Sequence, residues 1–133
     1  MTARRKARKR ALDLLYEADI RGIDPTGLVT EREVDGIDDY ALMLARGVIT
    51  HGARIDELLE THSLDWTLDR MPAVDRTILR IAVFEILWND DVPDSVAIDE
   101  AVELASALST DDSASFVNGL LGRIEELKPR LVV

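Results

Sequence analysis

The chain has 133 residues, which suits one domain with a real core and no need of a disulfide or structural metal. It has no cysteine, which excludes disulfides, thiolate nucleophiles and cysteine-ligated zinc, and no apolar run approaches the roughly 20 residues that span a bilayer. The formal net charge is −10, yet Arg4, Arg5, Lys6, Arg8, Lys9 and Arg10 make residues 3–10 basic, leaving 10 basic against 26 acidic side chains in the rest.

The first helix is expected from about Ala3 to Ile20. Ala7, Ala11, Leu14, Leu15 and Ala18 form its apolar stripe, and Leu12, Tyr16 and Ile20 widen it. Gly22 and Asp24-Pro25 end it. Residues 21–39 read as loop, with room for a short helix around Val29 to Val34. A long second helix is expected from Asp38 or Asp39, both good N-caps, to near His62. Residues 64–72 form a connector anchored by Leu64, Trp66, Leu68 and Met71, with space for one helical turn. Pro72 then opens a helix that is apolar nearly all round from Ile81 to Trp88 except at Glu85, so it is placed at the centre. A helix over Pro93 to Leu108 follows. The last helix, capped within the run at 109–112, carries Phe116, Val117, Leu120, Leu121, Ile124 and Leu127 inward. Pro129 stops it, and residues 129–133 are expected to fray. No period-two alternation appears. The expected fold class is all-α, a single domain over 1–133 with about six or seven helices.

The basic segment works against its own helix. A helix N-terminus carries about half a positive charge, and each cation there is unfavourable by about 0.3–1 kcal/mol. Six cations crowd the first turns with no acid before Asp13, and Arg4 with Arg8, Arg5 with Lys9, and Lys6 with Arg10 repel at i,i+4. An anionic partner would relieve this. Arg5 and Lys9 share a helix edge with Tyr16, so phosphates and an unstacked base could be met in one column, as single-stranded RNA prefers. A segment of this kind is expected to be partly disordered when free. The bland alternative is a solvated charged face.

Other candidates are weaker. His51 and His62 lack a metal-ligand spacing and read as surface or boundary residues. Asp35, Asp38 and Asp39 lack the EF-hand pattern and read as caps. Glu85 reads as an exposed or salt-bridged position more readily than as a poised carboxylate. Ser115, Gly119 and Gly122 line one side of the last helix and suggest tight internal packing. No catalytic constellation, metal site or cofactor motif is found, so the protein is expected not to be an enzyme and to need no cofactor. The charged residues Asp13, Glu17, Asp19 and Arg21 interrupt any secretory signal, and a soluble, cytoplasmic protein, mature from its first residue, is expected.

Four stretches, RRKARKRALDLLY at 4–16, LDRMPAVDRTILRIAVFEIL at 68–87, DVPDSVAIDEAVELA at 91–105 and DDSASFVNGLLGRI at 111–124, together resemble the NusB family of bacterial transcription antitermination factors. The resemblance covers most of the chain. It implies an all-helical fold of two packed helical subdomains. It also implies binding to boxA, a short single-stranded RNA element of nascent ribosomal RNA transcripts, alongside the protein partner NusE, and a link through other Nus factors to RNA polymerase. By resemblance the RNA-binding motif falls on Arg4, Arg5, Lys6 and Arg8, with Lys9 and Tyr16 on the same helix. Asp112 and Phe116 match positions near the RNA face, although the register of Phe116 also suits the core. Asp75, with Arg76 beside it, matches the NusE-contacting position. Lys9 and Arg10 extend the basic run beyond the family pattern. Two alternatives stand beside this reading. One is a pure interaction module that forms a homodimer without specific RNA binding. The other is the NusB-like part of an RNA methyltransferase, which would need a cofactor domain and a catalytic cysteine absent from this sequence.

Overall fold

The computed structural model describes residues 2–64 and 66–133, and among them no strand occurs. Seven α-helices follow in order: α1 (Ala3–Arg21), α2 (Thr26–Val34), α3 (Asp39–Thr50), α4 (Gly52–His62), α5 (Ala73–Trp88), α6 (Asp94–Leu108) and α7 (Asp111–Leu127). Short 3₁₀ turns at Leu68–Arg70 and Lys128–Arg130 complete the chain. No helix among the described residues is long and apolar enough to cross a membrane.

The central position expected for α5 is observed. Every residue from Ile81 to Leu87 is buried, and α5 touches α1, α3, α4, α6 and α7. On one side α1, α2 and α3 pack together; on the other, α4 and α7 join α6. Two half-buried arginines on α5, Arg76 and Arg80, bridge the elements beside it: Arg76 pairs with Asp19 of α1 at 2.9 Å and Arg80 with Asp56 of α4 at 2.8 Å.

Local chemistry sets the helix ends. The Thr2 side chain accepts from the Arg5 amide at 3.1 Å, which caps α1 with a hydroxyl although its first turn holds no acid. Gly22 closes α1 in the left-handed region at φ 65°, where a Cβ would be strained. The Asp38 carboxylate caps α3 by accepting from the Ala41 amide, as the capping reading expects.

The structure departs from the sequence expectations in two places. The long helix expected from Asp39 to His62 is two helices, because the backbone at His51 leaves helical geometry (φ −102°, ψ 13°). The His51 imidazole lies flat on Trp88, with ring centroids 4.0 Å apart. Near the C-terminus, Leu131 packs against the core and Arg54 donates to the Val132 carbonyl at 2.9 Å, while Val132 and Val133 are exposed. The line of Ser115, Gly119 and Gly122 is not an internal packing face. Ser115 and Gly119 are exposed, and a Cβ at Gly122 would meet nothing within 4 Å. The glycine that close packing requires is Gly47, where a Cβ would stand 2.1 Å from the Phe84 ring.

Candidate nucleic-acid interface

The basic residues of α1 divide by direction. Arg8 continues the apolar stripe of Ala11, Leu12 and Leu15 at helical spacing, so it points into the molecule. It is 3% exposed and forms two hydrogen bonds of 2.8 Å to Glu85, itself 1% exposed. Burial alone works to lower the Arg8 pKa, but the hydrogen bonds and charge of Glu85 outweigh it and hold the guanidinium above its ordinary value. Arg8, expected among the phosphate-facing cations, is therefore already committed to an internal carboxylate.

Glu85 accepts a third hydrogen bond, 2.7 Å from the Tyr40 hydroxyl, and the Asn89 amide donates to that same hydroxyl at 3.1 Å. Burial, then the hydrogen bond to Glu85 and its charge, push the Tyr40 phenol well above the ordinary value. The face of the Tyr40 ring carries the Arg4 guanidinium, its central carbon 4.9 Å from the ring centroid.

The outer cations have different surroundings. Arg5 makes a two-pronged pair with Glu100 of α6 at 2.8 and 3.1 Å. Lys9 pairs with Asp13, one turn along, at 2.6 Å, and Arg10 with Asp38 at 2.9 Å. Arg4 and Lys6 are exposed, and neither has a carboxylate partner among the described residues. The repulsion expected along this segment is offset by carboxylates drawn from α3, α5 and α6. α1 accordingly begins at Ala3, within the basic segment.

The remaining site residues lie apart from this end. Phe116 is half-buried with its ring 4.7 Å from Trp66, so it belongs to the margin of the core and also lines a surface cleft of about 430 Å³ with Asp112, Ser115 and Arg123. Asp112 is exposed in the first turn of α7, where a carboxylate favours the helix dipole. A neighbouring cleft, lined by Arg5, Ser115 and Asn118 but also by the carboxylates of Asp99 and Glu103, adjoins the Phe116 cleft at Ser115.

The partner-facing expectation is changed by the structure. Asp75 is 0% exposed, and neither carboxylate oxygen has a hydrogen-bond partner among the described residues. It offers no atom to another protein in this conformation. Arg76 is partly exposed and holds Asp19 and the carbonyls of Leu68 and Met71. On the same side, Tyr16 and Ile20, one turn apart on α1, and Ile23 just beyond its Gly22 cap expose apolar surface, Ile20 by 60%. Tyr16 thus stands in an apolar stripe at the far end of α1 and away from the free cations.

Comparison with known proteins decides the family. The NusB family model matches residues 5–126. The chain belongs to the NusB family. It is 56% identical over 144 residues to the transcription antitermination protein NusB of Beutenbergia cavernae, covering 98% of this chain and 94% of that protein. Its structure is similar to that of T. maritima NusB, with a TM-score of 0.82 at 33% identity, covering 98% of this chain and 99% of the other. A chain in a crystal structure of antitermination factors NusB and NusE in complex with double-stranded RNA is similar with a TM-score of 0.78 at 28% identity, over 95% of this chain and 98% of that one.

Sequence reasoning missed Tyr40, Asn89, Glu100 and Trp66. Only Glu85, a lone acid in an apolar run, and Arg8, at stripe spacing, carried a visible signal of the buried pair.

Proposed function

We propose that this NusB-family protein binds boxA-type single-stranded RNA in nascent ribosomal RNA transcripts through the exposed end of α1. In this reading it acts as a non-catalytic adaptor that joins RNA, NusE and, through other Nus factors, RNA polymerase. The observation that carries the reading is the presence of two unpaired cations, Arg4 and Lys6, on an otherwise acidic molecule. Lys9 adds to the surface by exchanging the exposed Asp13 carboxylate for a phosphate at little cost, and Arg5 adds its half-exposed guanidinium while remaining beside the part-buried Glu100. From there a strand would follow Ser115 and Asn118 to the Phe116 cleft, where a base could stack on the aromatic pair. Asp112 stands at that cleft as a negative charge that limits affinity. NusE fits the apolar surface of Tyr16, Ile20 and Ile23 beside Arg76, with the buried Asp75 taking no direct part.

Salt dependence tests the RNA surface. Four cations at phosphates give a slope of log K against log salt near about −3 for a single strand, and Arg4→Ala with Lys6→Ala removes about 1.4 of it. An unchanged slope in that double variant rejects the basic end as the RNA site. For the partner surface, Ile20→Asp is expected to weaken NusE binding at least tenfold with the fold intact; wild-type affinity would move NusE elsewhere. Sedimentation of the free protein distinguishes the homodimer alternative, in which the same surfaces would be covered by a second copy.

A further inference from the structure

We infer that Tyr40 is a positioning residue for RNA binding: its ring, held by hydrogen bonds to Glu85 and Asn89, seats the Arg4 guanidinium over its face at the start of α1 while leaving the N–H groups free for phosphate. This rests on the RNA-binding reading above and identifies how that surface is prepared.

The argument begins with what a guanidinium needs. Its five N–H donors lie in its plane and match phosphate oxygens in pairs. A carboxylate that fixed Arg4 would occupy those donors, as Glu100 occupies those of Arg5. An aromatic face attracts the cation through its π surface and contacts only the flat side, so the donors stay open. The Arg4 central carbon lies 4.9 Å from the Tyr40 centroid, within cation–π range, and no carboxylate pairs with it among the described residues.

The ring itself is held in place. The Tyr40 hydroxyl donates to Glu85 at 2.7 Å and accepts from Asn89 at 3.1 Å, both on α5. Arg8 completes the charge balance of Glu85, so the platform beneath Arg4 carries no net charge. Arg8 also lies one turn beyond Arg4 on the same face of α1, which ties the helix over the ring. Three helices thus converge on one half-buried phenol, with the free arginine above it. A buried ion pair adds little stability over apolar residues of the same volume, so stability alone does not account for the arrangement.

The experiment is a fluorescence anisotropy titration of a labelled boxA RNA with the full chain, at two salt concentrations, with circular dichroism confirming that each variant is folded. Tyr40→Leu is expected to weaken binding about fivefold, while Tyr40→Phe, which keeps the ring, restores most of it. In an Arg4→Ala background, Tyr40→Leu is expected to have no further effect, a non-additivity that a general loss of stability would not produce. Arg4→Lys alters nothing buried and keeps the charge, and it is expected to weaken binding because a lysine does not lie flat on the ring. Wild-type affinity in folded Tyr40→Leu or in Arg4→Lys overturns the inference, as does an equal loss from Tyr40→Leu with and without Arg4. If Arg4→Ala with Lys6→Ala leaves binding unchanged, the RNA-binding reading fails first and the inference with it. If that variant loses binding and Tyr40→Leu does not, only the inference fails.

Discussion

Replacing Arg8 with Met keeps the length and apolar stem of the side chain while deleting its charge. Glu85 then remains 1% exposed with the Tyr40 hydroxyl as its one remaining side-chain donor. Breaking a buried pair by removing one partner costs about 3–5 kcal/mol, because the other charge is left uncompensated. The two 2.8 Å hydrogen bonds and near-complete burial place this pair in that class and apart from the exposed pairs of α1. A domain of this size unfolds with an entropy of about 0.3 kcal/mol/K, so the loss corresponds to a fall in Tm of about 10–17 °C. The double variant Arg8→Met with Glu85→Leu removes both charges and is expected to recover most of the stability. Urea denaturation of the wild type, both single variants and the double closes the cycle. A loss below about 1 kcal/mol in Arg8→Met, or additive losses in the double variant, would refute the reasoning, since an exposed or weakly coupled pair behaves that way. In folded Arg8→Met the salt slope of RNA binding is expected to stay at the wild-type value, because no phosphate contact is removed.

Three further outcomes follow from the packing. Gly47→Ala places a methyl 2.1 Å from the Phe84 ring and is expected to cost about 1–3 kcal/mol or more, read by thermal melting; wild-type stability would mean that the ring moves aside freely. Asp75→Ala removes two buried oxygens that have no hydrogen-bond partner among the described residues, and that relief is expected to outweigh the roughly 1 kcal/mol a carboxylate gains at a helix start, so Tm is expected to rise. A lower Tm would show that the carboxylate has a compensating partner in solution. The Tyr40 phenol is raised above its ordinary value of 10.0, so unfolded chains lose this proton at lower pH than folded ones do. Its contribution is complete below about pH 10 and is lost as pH rises towards the folded value, making stability fall more steeply there in wild type than in Tyr40→Phe. Equal slopes in alkaline denaturation would contradict the buried hydrogen bond to Glu85.

The helices were legible because their cause is local: the periodic apolar residues of α1, α5, α6 and α7 mark buried faces, and Gly22 and Asp38 mark ends. The break at His51 was not, since Ile55, Leu58 and Leu59 continue the apolar spacing through it, and what marks that residue is its backbone and its stacking on Trp88, both tertiary facts. Charge was legible as composition but not as direction. Six cations within seven residues look equivalent in sequence, yet their partners lie up to 95 positions away, as Glu100 does from Arg5. Which of them remain free depends on which carboxylates the fold brings near, and that is a tertiary fact.

The most direct test of the whole account is anisotropy of a labelled boxA RNA titrated with this protein, with and without NusE, beside a scrambled single strand and a duplex. Preferential binding of boxA, tightened by NusE, is the predicted result. Equal binding to the scrambled strand would reduce the α1 surface to a generic basic patch, and no binding under any condition would contradict the RNA-binding account itself.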